Sequence, residues 1–533
     1  MKITLPKLLI IVLLTIGSFF IFKNLANIYL WYDEASTAVF GRTILNFGYP
    51  RVFDGVNWQD PELIKSIGTD SYYIEKYHVW LPYYIAAASL KLFGQTTWAA
   101  RMPFAIIGFF CLILTIRLTR RWFPNRRYLG IVALSLLVFS VPFLLHIRQC
   151  RYYAPQIFFT ILSFITYDRY LKKSSWSRLL LFCGILFLLF FSNHGVFIPV
   201  FGTLGLFSIT IDRSKWTFKR ILFVAVLSAS YAIPWYLYGN AAYHARFNLE
   251  HVWDNLQFFI RTINKYLLPL AFYGIVIGWY TLRRNFFFLK WDKNEINKFL
   301  RILIFFLVST IFFMLQAQRS IRYFIHLLPF LFIIQAAVFE SWFRVRKAWP
   351  ALFLILLLFT NALSRPFPLL VLAPFKPKVV KDVDLQSYPL KFVDEIFHDY
   401  DGPVEAICRY LKEHSNEGET VKINYGDLSV MFYVPWLKVE NGYFFAKHDF
   451  PEWVVWRDYW IKKELRDKKS RSESIEVDEQ YLEEIKQKYE AIELSAVDLI
   501  WENRPDDLGY HKFRTVTEGD KVVIYRRKDL AQQ

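Results

Sequence analysis

Long apolar runs recur from Leu8 to Leu363 and dominate the first two thirds of this chain. Each run is about 17–25 residues long, the length at which an α-helix crosses the hydrocarbon core of a bilayer. Of all residues 55% are hydrophobic and 53 are Phe, more apolar surface than a soluble protein of this size needs. In lipid, a helix satisfies its own backbone hydrogen bonds. The sequence therefore predicts an all-α polytopic membrane domain.

Basic residues cluster in the short loops between the runs, so the positive-inside rule accounts for the net charge of +18. Nucleic-acid binding is therefore not expected. Together, runs and charges predict about eleven spans. These spans lie near residues 8–30, 99–117, 128–145, 154–169, 179–191, 196–211, 221–238, 267–282, 300–315, 323–339 and 348–363. The apolar stretch continues to Trp31 without a clear cleavage site, which favours an uncleaved first span over a signal peptide.

Prolines between residues 366 and 377 mark a change of composition, and the chain after about Asp382 has that of a soluble domain. We expect a transmembrane domain over residues 1–365 and a small α/β domain over residues 366–533, on the same side of the membrane as the first outer loop. The patterns predict helices over Val404–Glu413 and Tyr481–Tyr489, the second with a solvated face, and strands over Val421–Tyr425, Trp453–Trp456 and Val522–Tyr525.

The first outer loop, residues 31–78, begins with the adjacent carboxylates Asp33 and Glu34. Ionisable groups at a membrane exit are costly to place, so a pair indicates a functional site. Ala38 and Leu45 are spaced for a helix along the membrane surface, which would hold the pair at the level of lipid head groups. In the alternative interpretation the pair only caps this helix, although one carboxylate would suffice for that.

The same loop ends with Glu75 and Lys76, directly before an aromatic run that contains His78. Lys76 is suited to the phosphate of a membrane-embedded donor. The alternative is an ordinary interfacial anchor within an aromatic belt.

Two arginine pairs are expected at outer span ends, against the positive-inside trend. Arg148 and Arg151 precede Tyr152, and Arg319 and Arg322 precede Tyr323. An anionic ligand would explain their position, and snorkelling to the interface is the alternative. We expect the carboxylate pair and these cations to form one site for an anionic lipid-linked substrate and a nucleophilic acceptor.

The four cysteines have neither CxxC spacing nor companion histidines, so the sequence predicts no zinc site and no disulfide framework. No metal ligands are predicted and no cofactor is required. The acidic first loop is nevertheless rich in oxygen ligands, which leaves a divalent metal open.

Four motifs occur in order: Tyr32-Asp33-Glu34, Glu75-Lys76, Arg148-x-x-Arg151-Tyr-Tyr-Ala and Arg319-x-x-Arg322-Tyr323. In order and spacing, over about residues 1–345, they resemble the GT-C glycosyltransferases. The similarity is to the dolichyl-phosphate-mannose protein mannosyltransferase superfamily and the bacterial aminoarabinose transferases. The chain departs from these branches at Tyr77-His78, where many relatives have Pro-Pro, and at Ser36, where the aminoarabinose branch tends to have Arg.

The resemblance implies a GT-C fold and an enzyme that transfers a sugar from a polyprenyl-phosphate donor at the extracytoplasmic face. Expected acceptors are a cell-envelope glycan, a lipid or a protein, and the expected location is a bacterial inner membrane. Asp33 would be the catalytic carboxylate, with Glu34 beside it. Lys76 and the four arginines would bind the donor phosphate. Further substrate contacts are expected at Glu75, His78, Tyr152 and Tyr323. A membrane transporter or flippase of a lipid-linked saccharide is the alternative.

Overall fold

A computed structural model describes residues 4–59, 72–239, 252–282, 291–316, 320–344, 348–364, 385–399, 401–441, 450–459, 473–498 and 518–529. By their contacts, the residues fall into two units. The helical unit consists of Met1–Lys23, Lys76–Leu81 and Phe104–Ile396. The mixed unit consists of Asn24–Glu75, Pro82–Pro103 and Phe397–Gln533. The predicted domain boundary at residues 365–366 lies outside the described residues and stays a prediction.

Helices account for most of the described chain. The longer ones in the first three quarters are Leu5–Phe22, Tyr32–Phe47, Leu81–Phe93, Thr97–Trp122, Leu129–Val138, Val141–Ile147, Tyr153–Lys172, Trp176–Ser192, His194–Ile209, Phe218–Tyr238, Val252–Tyr266, Leu270–Leu282, Lys293–Met314, Leu328–Phe343 and Ala348–Phe359. Short 3₁₀ turns occupy Arg213–Lys215, Ile321–Tyr323, Ile325–Leu327 and Ala362–Ser364. Each of the eleven predicted segments therefore contains a helix.

Five of these helices are long and apolar enough to cross a membrane, within the part of the chain that the structure describes. Leu129–Val138 and Val141–Ile147 make a sixth if the bent pair counts as one span. The chain is thus a multi-pass membrane protein, and the count of eleven spans stays a prediction. The bend is 68°; it falls where the Ser140 hydroxyl accepts a hydrogen bond from the Phe143 amide and Pro142 enters the first turn.

The first span ends earlier than predicted. Its helix stops at Phe22 rather than Leu30, and Asn24 adopts a left-handed backbone with φ of 52°. Leu25, Ile28, Leu30 and Trp31 are all buried, so their hydrophobicity reflects packing against protein. Hydropathy alone does not distinguish this packing from contact with lipid.

Three buried or partly buried ion-pair groups join elements of the helical unit. Arg301 donates to both carboxylate oxygens of Asp212, at 2.5 and 2.6 Å. Arg126 lies between Glu295 and Glu340, and Asp168 accepts from Arg121 and Lys298. Because helical backbones satisfy themselves, these side chains fix how the helices pack.

The C-terminal part of the mixed unit contains a five-stranded sheet in the order β2-β1-β3-β5-β4. Its strands are β1 Thr420–Ile423, β2 Lys438–Asn441, β3 Trp453–Trp456, β4 Tyr489–Val497 and β5 Lys521–Arg527, and helices Pro403–His414, Asp427–Tyr433 and Glu473–Lys488 accompany them. Helix Tyr388–Phe397 belongs to the helical unit as far as Ile396. Strand β1 pairs in parallel with β2 and β3, whereas β5 runs antiparallel to β3 and β4. A small C-terminal α/β fold is therefore confirmed.

The predicted strands over β1, β3 and β5 and the helix over Val404–Glu413 are confirmed, while β2 and β4 were not predicted. The predicted charged helix ends at Lys488, and its face is not fully solvated. Tyr481 and Ile485 are completely buried against Val454 and Tyr525.

Candidate active site

The acidic pair lies in the first turn of helix Tyr32–Phe47, as the sequence predicts. Trp31 is the N-cap residue and makes no side-chain capping bond, so the carboxylates interact with the helix through its dipole. Ten of the sixteen helical residues are buried, so this helix is a packed element of the mixed unit. Gly41 allows the packing, because a Cβ there would lie 3.1 Å from the Ala86 Cβ.

Glu34 is completely buried and forms a two-point ion pair with Arg101. The Arg101 Nε donates to Oε1 at 2.8 Å and Nη2 donates to Oε2 at 2.6 Å. Such fork-on-fork contacts are the strong form of a charge-assisted hydrogen bond. With both oxygens engaged, Glu34 is better suited to positioning than to the predicted catalytic role.

Arg101 also binds the backbone of the irregular segment that precedes the helix. Its Nη1 donates to the carbonyls of Leu25 and Ile28, at 3.0 and 2.6 Å, and Nη2 donates to the carbonyl of Tyr29 at 3.2 Å. These carbonyls lie beyond the end of helix Leu5–Phe22 and need partners from side chains. One buried guanidinium thereby joins this segment to the acidic helix.

Asp33 differs from its neighbour in exposure. It is half-buried, and its backbone carbonyl accepts a hydrogen bond from the Thr37 hydroxyl at 3.1 Å. The helix therefore presents one carboxylate near the surface of the mixed unit and buries the other. Simple capping does not require that arrangement.

The rest of the described part of residues 31–75 is held by polar contacts within the mixed unit. Arg42 donates to Asp54 and to the Met431 carbonyl, both at 2.8 Å. Asn57 accepts from the Val439 amide at 2.7 Å. Glu75, a predicted substrate contact, is 1% exposed and its backbone amide donates to the Pro50 carbonyl. This burial indicates a structural role for Glu75, and its predicted contact with substrate stays a prediction.

Lys76 and His78 belong to the helical unit. The Lys76 ammonium lies 4.6 Å from the centre of the Tyr238 ring, a cation–π distance. A Cβ on Gly239 would lie 2.6 Å from the Lys76 carbonyl oxygen, so only glycine fits there. The His78 ring contacts Tyr77 at 4.5 Å. These aromatic contacts accord with the interfacial-anchor interpretation and leave the phosphate role a prediction.

Arg148 caps a helix within the helical unit. Its Nη1 donates to the carbonyls of Phe20, Ile21 and Lys23, at the C-terminal end of helix Leu5–Phe22. A cation there also complements the helix dipole. Neither snorkelling nor an anionic ligand is needed to explain this arginine.

The remaining predicted cations have other surroundings. Arg151 is 6% exposed and its guanidinium carbon lies 5.2 Å from the centre of the Tyr152 ring. Arg322 lies 5.4 Å from the Tyr323 ring, and Tyr323 stacks on Phe313 at 5.8 Å. Arg319 lies outside the described residues.

The structure thus groups Asp33, Glu34 and Glu75 in one unit, and Lys76, His78, Arg148, Arg151, Tyr152, Arg322 and Tyr323 in the other. The convergence of carboxylate and cations in a single pocket stays a prediction. Arg101 was missed, although its position near the outer end of a predicted span gave the same signal as Arg148. Among the described residues, no group of three or more His, Cys, Asp or Glu is arranged to hold a metal ion.

Comparison with known proteins gives a distant structural likeness. No protein-family model and no curated protein sequence matches the chain. ArnT from Cupriavidus metallidurans bound to undecaprenyl phosphate is similar over 80% of this chain and 85% of its own, with 14% identity and a TM-score of 0.49. The apo state of ArnT gives 15% identity, 80% and 84% coverage and a TM-score of 0.47.

Arabinosyltransferase EmbB from Mycobacterium smegmatis is similar over 64% of this chain and 30% of its own, with 13% identity and a TM-score of 0.40. ArnT and EmbB are both GT-C glycosyltransferases, the class that the sequence resemblance names. At these identities and TM-scores the likeness assigns no activity to this chain.

Proposed function

We propose that this chain is an integral membrane glycosyltransferase. It transfers a sugar from a polyprenyl-phosphate donor to a cell-envelope glycan, lipid or protein at the extracytoplasmic face. The observation that carries the proposal is the contrast within the acidic pair. Glu34 is buried and immobilised by Arg101, while Asp33, one residue earlier, is half-buried in the first turn of the same helix. This arrangement leaves the Asp33 carboxylate partly exposed, while the Glu34–Arg101 ion pair fixes the helical turn that carries it.

In the proposed reaction Asp33 accepts the proton of an acceptor hydroxyl or amine. The acceptor atom forms a bond to the anomeric carbon as the bond from that carbon to the phosphate oxygen breaks. The electron pair leaves with the polyprenyl phosphate, and attack from the opposite face inverts the anomeric centre. The transition state resembles an oxocarbenium ion, as in glycoside hydrolysis. A positioned general base typically contributes about 10²–10⁴-fold.

Charge on the leaving phosphate has to be offset. Lys76, Arg151, Arg319 and Arg322 are the proposed donors of that stabilisation, through charge-assisted hydrogen bonds. Arg148 is the weakest member of the predicted set, because its Nη1 already donates to three backbone carbonyls. Tyr152, Tyr323 and His78 are proposed sugar or phosphate contacts. Glu34 serves as a positioning residue for Asp33.

A flippase or transporter of lipid-linked saccharides is the second candidate, and the bent helix pair favours it. Leu129–Val138 and Val141–Ile147 meet at 68°, and broken helices are a common element of transporters. Transport moves its substrate unchanged, whereas glycosyl transfer consumes it.

The two functions separate in a gradient-free assay. Purified full-length protein in detergent is incubated with a panel of polyprenyl-phosphate sugars and an envelope extract, and free polyprenyl phosphate is measured. We expect release with at least one sugar, dependent on the extract. Intact donor after prolonged incubation with every sugar, together with donor movement across reconstituted vesicles, would establish the transporter instead.

A further inference from the structure

The C-terminal part of the mixed unit holds the segment that leads to Asp33. Segment Asn24–Trp31 connects helix Leu5–Phe22 to helix Tyr32–Phe47 and has little regular structure of its own. Three side chains from helices of the C-terminal part bond its backbone. They are Glu405 on Pro403–His414, and Ser429 and Tyr433 on Asp427–Tyr433.

The bonds are specific to two consecutive residues. The Tyr29 amide donates to Glu405 Oε1 at 2.5 Å, and the Leu30 amide donates to the Tyr433 hydroxyl at 2.9 Å. The Ser429 hydroxyl donates to the Leu30 carbonyl at 2.8 Å. Leu30 therefore has both backbone polar groups bound by side chains of one short helix. Such bonds replace the partners that a regular helix would have supplied.

Aromatic contacts reinforce the same junction. The Tyr29 ring stacks on the Tyr433 ring, with centroids 4.0 Å apart. Tyr32, directly before Asp33, is parallel to Tyr425 at 6.1 Å. Glu405 lies with Tyr29, Tyr32 and Tyr425 around a narrow cleft. Burial of these rings adds apolar contact to the hydrogen bonds.

We propose that Glu405, Ser429 and Tyr433 are positioning residues that fix segment Asn24–Trp31 and, through it, the orientation of Asp33. The inference rests on the proposed function for its catalytic consequence, but the positioning itself is a property of the fold. Arg101 binds the carbonyls of this segment and Glu34, so Asp33 lies between two anchored points. The C-terminal part of the mixed unit thereby positions the proposed catalytic carboxylate.

The Glu405 anchor carries a pH signature. Burial, with a smaller contribution from nearby Asp401, raises the pKa of Glu405 to about 7 against the opposing effect of the Tyr29 hydrogen bond. The groups that act on it are Tyr29 and Arg101 from the segments packed on it, Asp401 from the preceding loop and Cys408 from its own helix. Below pH 7 the neutral acid accepts the Tyr29 bond without a buried charge. Above pH 7 it is a desolvated carboxylate. The Tyr29 amide then donates to a charged oxygen, but the desolvation cost is larger, so the anchored segment is less stable than at low pH.

The test compares Glu405→Gln, Glu405→Ala and Tyr433→Phe in the full-length protein, with Glu413→Gln as the control. Glu413 is exposed on the same helix. Hydrogen exchange is measured by mass spectrometry on peptides covering residues 25–35. We expect exchange at the segment to accelerate about tenfold in Glu405→Ala and Tyr433→Phe, because each loses a bond to one amide. Glu413→Gln leaves the exchange unchanged.

Donor turnover is measured on the same samples between pH 6 and pH 8.5. We expect Glu405→Ala and Tyr433→Phe to lower kcat about tenfold or more while KM for the donor stays constant. Wild-type kcat falls as pH rises through about 7, and Glu405→Gln, which mimics the neutral acid, removes that fall.

Unchanged exchange in both Glu405→Ala and Tyr433→Phe would overturn the positioning role. So would faster exchange with unaltered kcat, or a Glu405→Gln enzyme that retains the wild-type pH profile. Absence of turnover in the wild-type protein would instead remove the proposed function. The exchange measurement would still decide whether the segment is anchored. If Glu405→Ala does not fold, Tyr433→Phe supplies the exchange and kcat measurements and Glu405→Gln supplies the pH profile.

Discussion

Two buried arginines, Arg101 in the mixed unit and Arg301 in the helical unit, have different partners. In the mixed unit, Arg101 binds three backbone carbonyls as well as the carboxylate of Glu34. In the helical unit, the contacts of Arg301 include both oxygens of Asp212, a side chain. The difference arises from the regularity of the backbone near each arginine. Regular helices satisfy their own carbonyls, whereas the segment before Asp33 is irregular and needs donors from elsewhere.

The comparison suggests what an arginine at a helix end is for. Arg148 resembles Arg101 rather than Arg301, because it binds carbonyls at the end of helix Leu5–Phe22. Two arginines thus hold the stretch on either side of Lys23, one in each unit. An arginine that is expected at an outer span end need not indicate an anionic substrate, because it can bind backbone carbonyls where a helix ends.

Removal of Arg101 should have the largest effect. Arg101→Ala leaves Glu34 charged and buried and frees three carbonyls, so we expect about 3–5 kcal/mol lower stability and no transfer. Thermal unfolding in detergent measures the stability. Arg101→Ala combined with Glu34→Gln should recover part of it, because the unpaired charge is gone. A single variant as stable as the wild type, or a double variant less stable than the single, would contradict the buried ion pair.

A pair of glycines, one closely packed and one open, tests how tightly the acidic helix packs. Gly41→Ala introduces a Cβ 3.1 Å from both the Ala86 Cβ and the Ala87 amide nitrogen, so we expect about 1–3 kcal/mol destabilisation. Gly184 has no neighbour within 4 Å of its Cβ position among the described residues, and Gly184→Ala in the helical unit should be neutral or slightly stabilising. Equal effects from the two variants would remove the contrast.

Arg148 gives the smallest and most discriminating effect. Arg148→Gln loses the charged cap of helix Leu5–Phe22, and we expect about 1–2 kcal/mol lower stability with KM for the donor unchanged. Arg322→Gln, at a proposed phosphate contact, should raise that KM by about tenfold with little change in stability. Steady-state kinetics with thermal unfolding separates the cases. A raised KM in Arg148→Gln would restore it to the phosphate site.

Much of the architecture could be predicted from local sequence. Apolar runs located the helices because about twenty apolar residues in a row have few other uses, and the acidic pair was found at the helix where it was expected. Strands β1 and β3 were visible as short apolar runs. Strand β4, Tyr489–Val497, was hidden because its charged residues alternate on an exposed face next to a charged helix.

Contacts between residues far apart in the sequence could not be predicted from local patterns. Glu34 and Arg101 are 67 residues apart, and the Tyr29–Glu405 bond spans 376 residues. Nothing in the local pattern of Glu405 distinguishes it from the exposed Glu413 on the same helix. Both look like ordinary acidic residues of an amphipathic helix. Only the fold shows that one is buried against the segment before Asp33.

Donor turnover in Asp33→Asn tests whether Asp33 accepts the proton of the acceptor. Full-length protein in detergent is compared with the wild type and with Asp399→Asn, an exposed control. We predict at least about a 100-fold lower kcat in Asp33→Asn, with unchanged unfolding temperature and normal activity in the control. Turnover within a few-fold of wild type in Asp33→Asn would exclude Asp33 as the proton acceptor.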